Sequence, residues 1–181
     1  MHYLLLSLIL GLSGVVIGHN HASHEASAHH KAQSFIINNQ GNRIGQAEYT
    51  QGSAGVLIEI QVTGLPPGKH GMHFHKVGNC DDVAGFKNAK GHIMPTGKPH
   101  GYLHPEGPHE GNLPNLIVGQ DGTAHVELYT ELVSLHSESN QPALLDSDGS
   151  SLIIHINEDD HKTQPIGGAG ARIGCGVIQP L

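Results

Sequence analysis

Short strands joined by turns dominate the hydrophobic pattern of this chain. Val56, Ile58, Ile60 and Val62 alternate with mostly polar neighbours, the period of two expected of a strand with one buried face. The same reading predicts strands over Phe35 to Asn38, Arg43 to Thr50, Ala54 to Thr63 and His70 to Val77. Further strands are predicted over Asn115 to Val118, Thr123 to Tyr129, Leu152 to Ile156 and Ile173 to Ile178. Breakers separate them: Asn39-Gln40-Gly41-Asn42, Gly64-Leu65-Pro66-Pro67-Gly68, and Gly119-Gln120-Asp121-Gly122, whose Asp-Gly pair is a hairpin signal. Residues 132–150 leave room for a short helix. About eight short strands and no long helical period predict an all-β sandwich or barrel. A stretch rich in Gly, Pro and His from Gly78 to Leu113 is too long for an ordinary connection, and such loops usually carry function.

The N-terminal segment does not follow this pattern. Leu4 to Ile17 is nearly unbroken apolar sequence, short for a membrane span and suited to the core of a signal peptide. Residues 1–18 are therefore expected to be a leader, with Gly18 or the Ala26-Ser27-Ala28 run marking cleavage. Residues 19–33 hold a polar tract with His19, His21, His24, His29 and His30 and no apolar period, which is expected to be disordered. One domain is then expected over residues 34–181, with no later segment able to span a membrane. Once the leader is removed, no stable membrane association is expected.

Composition sharpens the picture in two ways. The 25 Gly and 10 Pro, with 4% aromatic residues and no Trp, fit a turn-rich fold with a Val/Ile/Leu core. A formal charge of −7 without a basic stripe argues against nucleic acid as a partner. The 17 His nearly double the nine Lys plus Arg, and imidazole is the commonest metal ligand among side chains. The two cysteines, Cys80 and Cys175, form an even count that in an exported chain reads as a disulfide.

The histidines also have a suggestive arrangement. In Gly71-Met72-His73-Phe74-His75, a strand points His73 and His75 to one face and Phe74 to the other. Alone, His-x-His is a weak signal. His92, His100 and His109 fall at spacings that match neither helix nor strand, but suit a loop wrapped around an ion, with Gly and Pro at its corners. His155, alone in the apolar run Leu152-Ile153-Ile154, would by itself read as a core histidine. Arg172, in a Gly-rich turn, would read equally well as a surface residue.

Together, Gly71-Met72-His73-Phe74-His75, Gly91-His92 with Pro95, His100, His109-Glu110-Gly111-Asn112-Leu113-Pro114, Ile154-His155 and Gly168-Ala169-Gly170-Ala171-Arg172-Ile173-Gly174-Cys175-Gly176 resemble the copper/zinc superoxide dismutases. The exported bacterial branch is the more similar one. The resemblance implies a Greek-key β-sandwich or flattened eight-stranded barrel of immunoglobulin-like architecture with long metal-binding loops. It implies copper on His73, His75, His92 and His155, and zinc on His92, His100 and His109, with His92 bridging. It also implies a Cys80–Cys175 disulfide, an anion-guiding role for Arg172, and an Asp159 carboxylate linking His73 to His100. The implied reaction is dismutation of superoxide anion, in the periplasm or after secretion. The pattern leaves the oligomeric state, including a homodimer, open.

One position departs from the family. Asn112 stands where the family has an aspartate as fourth zinc ligand. Zinc prefers Cys, His and carboxylate ligands, so three outcomes are open: the Asn112 amide oxygen binds weakly, water or Glu110 takes the position, or zinc is held poorly. Zinc is expected to bind more weakly than with aspartate and to leave first as pH falls. The competing functional reading is a non-catalytic exported copper- or zinc-binding module on the same fold, for buffering or delivery. The presence of Arg172, which a buffer does not need, favours the enzyme.

Overall fold

The computed structural model describes residues 30–137 and 140–181, so the expected leader and residues 19–29 of the His-rich tract lie outside the described residues. Ten strands follow in chain order: β1 Lys31–Asn38, β2 Arg43–Gln51, β3 Val56–Val62, β4 Gly68–His70, β5 Met72–His75, β6 Leu116–Val118, β7 Ala124–Thr130, β8 Ser151–His155, β9 Arg172–Val177 and β10 Gln179–Pro180. The main sheet runs β5-β8-β9-β1-β2-β3-β7, with β10 added to β1, and β4 pairs separately with β6. β4 leads into β5 through Gly71, and β6 into β7 through the Gly119–Gly122 turn, where the Gly119 N–H bonds to the Thr123 carbonyl at 2.8 Å. The sheet thus curls on itself as a flattened, all-β barrel. Residues 131–150 carry the chain from β7, at one edge, across to β8 beside β5 at the other. No helix among the described residues is long and apolar enough to cross a membrane.

The alternation predicted for β3 is observed: Val56, Ile58, Ile60 and Val62 are buried. They share one core with Ile36, Tyr49, Met72, Phe74, Leu152 and Ile154. A second, smaller cluster of Phe86, Ala89, Ile153, Cys80 and Cys175 lies on the opposite face of β8 and β9. β8 is therefore covered on both faces, and all five of its residues are buried, which explains why its sequence is apolar without a break.

Four expectations need adjusting. β1 starts at Lys31, so residues 31–33 belong to the sheet rather than to a tail, because the Lys31 carbonyl and the Ala32–Gln33 backbone pair with the C-terminal β10 and Leu181. The strand expected over His70 to Val77 is broken at Gly71, where β4 turns to β6 and β5 to β8. Among the described residues of 132–150 there is no helix; Ser134 and Ala143 form an isolated bridge instead. Among the described residues the one helical turn, 3-10 over Lys87–Ala89, lies within the long loop, and its Lys87 and Asn88 N–H groups are held by the Asp82 carboxylate.

Candidate metal centre

β5 is an edge strand, and the long loop uses its free side. The Ile93 N–H donates to Phe74 O at 3.0 Å, Phe74 N–H to Gly111 O at 2.9 Å, and Gly111 N–H to Ile93 O at 2.7 Å. His73 bridges to Asn112, and His75 to His92. Strand alternation sends Met72 and Phe74 into the core and His73 and His75 outward beneath this loop. His155 comes from the neighbouring strand on the same outward face as Ile153. Residues 73 to 155 in sequence thus converge on one buried spot: the ring centroids of His73 lie 4.2 Å from His92, 5.1 Å from His100 and 4.9 Å from His155.

Two sets of donor atoms result. One ring nitrogen each from His73, His75, His92 and His155 forms a group whose members all lie within 4.8 Å of one another, and His92, His100 and His109 form a second such group. Hydrogen bonds fix which nitrogen is free. His73 Nε2–H donates to Asp159 Oδ2 at 2.7 Å, His75 Nδ1–H to Lys90 O at 2.8 Å, and His155 Nδ1–H to Gly170 O at 2.9 Å. Each acceptor is an oxygen without a proton, so the opposite nitrogen keeps its lone pair. Those opposite atoms, His73 Nδ1, His75 Nε2 and His155 Nε2, are buried without a hydrogen-bond partner, as is His92 Nε2. Three fixed lone pairs grouped with the unpartnered His92 Nε2 suit a nitrogen-binding ion such as copper.

The second set has zinc dimensions. His109 Nε2 lies 2.9 Å from His92 Nδ1 and 3.3 Å from His100 Nδ1. Two nitrogens each about 2.05 Å from a tetrahedral zinc would be about 3.3 Å apart. His92 contributes one ring nitrogen to each set.

Asp159 joins the two halves from behind, with Oδ2 accepting from His73 and Oδ1 accepting from His100 Nε2–H at 3.0 Å. Burial pushes this carboxyl up, but bonds from His100, His73 and the His161 N–H outweigh it and hold it well below the usual carboxylate range. Gly167, at φ +61°, leaves room for the contact: a Cβ there would sit 1.7 Å from Asp159 Oδ1. Burial lowers the proton affinity of His73, His75, His92, His109 and His155, and the neighbouring rings add to it. His109 falls to about 4 and His155 to about 3, while His75, further opposed by the Arg172 charge, is well below the ordinary value. His92 is lowered further still by burial and by His73, His75, His109 and His100. Neutral rings are the form that binds metal.

Arg172, half-buried at the start of β9, donates to Phe86 O at 2.5 Å and to Lys90 O at 2.6 Å. Lys90 O also receives His75, so one carbonyl ties the arginine to a candidate copper ligand. Cys80 and Cys175 form the disulfide, spanning 95 residues and fastening the loop to β9. Asn112 is fully buried beside His100, with Nδ2 3.2 Å from His100 Nδ1. Glu110 bonds to Thr96 Oγ1 and belongs to no three-residue donor group among the described residues.

The sequence pattern missed several supporting residues. His161 bonds through its N–H to Asp159, Asn115 brackets Asp159 through its side chain, and His70 holds the His155 carbonyl at 2.8 Å. The Asn115 and His70 contacts join distant segments and nothing in their local sequence marks them, whereas the His161 N–H reaches Asp159 from two residues on. His104 and His125 stay outside both donor groups.

Residues 43–178 match the copper/zinc superoxide dismutase (SODC) family. The chain is 45% identical over 149 residues to the copper-zinc superoxide dismutase of Caulobacter vibrioides, covering 82% of this chain and 85% of that one. It is 42% identical over 150 residues to copper-zinc superoxide dismutase 2 of Aquifex aeolicus, covering 82% and 86%. Among solved structures, a SOD-like protein from Bacillus subtilis superposes with a TM-score of 0.76 at 37% identity, covering 80% of this chain and 96% of that one. The Cu/Zn superoxide dismutase from Brucella abortus superposes with a TM-score of 0.65 at 27% identity, covering 82% and 99%. With a family match across nearly all of the barrel, this chain belongs to the copper/zinc superoxide dismutases.

Proposed function

We propose that His73, His75, His92 and His155 hold copper, that His92, His100 and His109 hold zinc, and that the His92 ring is shared between them. The chain dismutes superoxide to oxygen and hydrogen peroxide, with copper and zinc as cofactors. Bound copper supplies the one-electron redox couple and zinc a fixed positive charge beside it. One observation carries the residue assignment: the two nitrogens of His92 face two different donor sets, Nδ1 toward His109 and Nε2 toward the group of His73, His75 and His155.

The chain's own groups divide the remaining work. His92 Nε2 is the atom at which a proton can be held for the developing peroxide. Arg172 sets a fixed cation near His75 and His155, whose proton affinities it lowers, and there it draws in the superoxide anion. Asp159 orients His73 and His100 by accepting from their Nε2–H groups, which puts the lone pair of each ring on Nδ1.

We further infer that the protein is exported to the periplasm or secreted with residues 1–18 removed. The Cys80–Cys175 disulfide supports this, because such bonds persist in oxidising compartments.

Metal analysis and superoxide turnover on one purified sample test the reading. Equimolar copper and zinc with turnover are expected, and His92→Ala should lose both the turnover and the bound ratio. Metal without turnover would instead identify a buffering or delivery module. Copper and turnover without zinc would remove His100 and His109 from the assignment.

A further inference from the structure

Asn112 is built into the zinc side of the site by its backbone as well as its side chain. Its N–H donates to His109 O at 3.2 Å, and its carbonyl accepts Tyr102 Oη–H at 2.9 Å. The side chain is thereby held against His100 with no exposed surface. Its amide has two unlike ends, and both are committed. Oδ1 accepts the Gly101 N–H at 3.2 Å. Nδ2 faces His100 Nδ1 at 3.2 Å. Since His100 Nε2 gives its proton to Asp159, Nδ1 carries the lone pair, and the amide N–H donates into it. That lone pair is the one zinc requires.

Turning the amide over offers no escape, because the NH₂ would then meet the Gly101 N–H, donor against donor. An aspartate of the same shape has no such conflict, since one oxygen could keep Gly101 while the other faced the ion. Glu110 is not a substitute: its Oε1 accepts from Thr96 Oγ1, and neither of its oxygens joins a donor group among the described residues.

We propose that Asn112 is not a zinc ligand, and that zinc held by His92, His100 and His109 keeps its fourth position for water or a small monodentate anion. This rests on the three-histidine assignment above. Three protein ligands plus an exchangeable one is the arrangement of open zinc sites, whereas four protein ligands close the site. Asn112 has a further effect, since its N–H must be displaced from His100 Nδ1 before the ion binds.

The test uses copper-free protein carrying Co(II) in place of zinc, titrated with azide and followed by visible absorption. Wild type should show saturable band changes as azide replaces water, and Asn112→Asp should show none. Competition with a chelator should give Asn112→Asp an affinity at least about tenfold tighter, within the range by which groups around a metal site alter its affinity. A wild-type spectrum indifferent to azide, or equal affinities in the two proteins, would overturn the proposal. Band changes of equal size in both proteins would also overturn the proposal. Those results would leave the three-histidine assignment and the dismutase reading standing. Failure of both proteins to bind Co(II) would instead sink the three-histidine assignment along with this proposal. Should Asn112→Asp not fold, the azide titration of wild type decides alone.

Discussion

Arg172 and Lys90 show how much rests on single backbone atoms around the site. Lys90 O receives both the Arg172 guanidinium and His75 Nδ1, so the charge proposed to attract substrate and a ring proposed to bind copper share one anchor. Replacing Arg172 with Glu reverses that charge without touching a ligand. Arg172→Glu is expected to lower kcat/KM by about 10- to 1000-fold at unchanged copper content, a general range for steered association of which superoxide dismutases are themselves a known example. Pulse radiolysis with metal analysis checks this, and an undiminished rate would take Arg172 out of the mechanism. Lys90 achieves its carbonyl position at φ 62° and ψ −147°, a region favouring glycine. Such a conformation costs about 1–3 kcal/mol, and the added freedom of an unfolded glycine offsets about 0.5–1 of it. Lys90→Gly should therefore stabilise the protein by about 1 kcal/mol in denaturant titration, with the metal content intact.

At the scale of elements, the centre depends on the way the loop is sewn onto β5, β8 and β9. Its backbone completes the free edge of β5, while Phe86, Ala89 and Cys80 pack with Ile153 and Cys175 on the face away from the main core. The disulfide closes a segment of 95 residues. In the chain-entropy account, a loop of about 100 residues corresponds to roughly 4.7 kcal/mol, and removal of native disulfides typically costs about 2–5 kcal/mol. Cys80→Ser with Cys175→Ser is expected to lose stability in that range by urea denaturation. Because Arg172 is held by Phe86 O and Lys90 O of the same loop, kcat/KM should fall with it. A double variant as active as wild type would show that the loop holds Arg172 without the cross-link.

For the whole molecule, charge and proton uptake matter most. The chain's formal charge of −7 repels an anion. Three of the 16 acidic residues lie away from the candidate metal centre: Glu48, Glu59 and Glu127 stand in register across β2, β3 and β7, whereas the histidines occupy the β5-β8-β9 side. The buried histidines link folding to pH. Their ordinary value is 6.5, and His109 and His155 fall to about 4 and about 3 in the metal-free fold. Above 6.5 both folded and unfolded chains carry neutral rings, so this contribution to stability is fully present; below 6.5 the unfolded chain takes up protons that the folded chain refuses. Metal-free protein should thus lose stability as pH falls from about 6.5, with uptake of roughly two protons on unfolding near pH 5 from these two rings alone. His73, His75 and His92, also lowered, add to it. Thermal unfolding of the metal-free protein between pH 8 and 4 checks the sign, and a melting temperature that rises on acidification would contradict it.

Local order along the chain was enough to read most strands, the turn at Asp121-Gly122, the pairing of His73 with His75 on one face, and the family resemblance; the expected hairpin is a turn only, because β6 pairs with β4 and β7 with β3. Period-two alternation and turn chemistry are properties of neighbouring residues, which is why they are visible without a fold. The break at Gly71 and the early start of β1 were hidden, because partner strands distant in sequence set them. Tertiary structure alone decided which nitrogen of each ring is free, that His161, His70 and the Lys90 carbonyl support the site, and that both ends of the Asn112 amide are occupied. Hydrogen-bond partners drawn from segments up to 86 residues apart fix those details. Such contacts exist only once the loop has closed over the sheet.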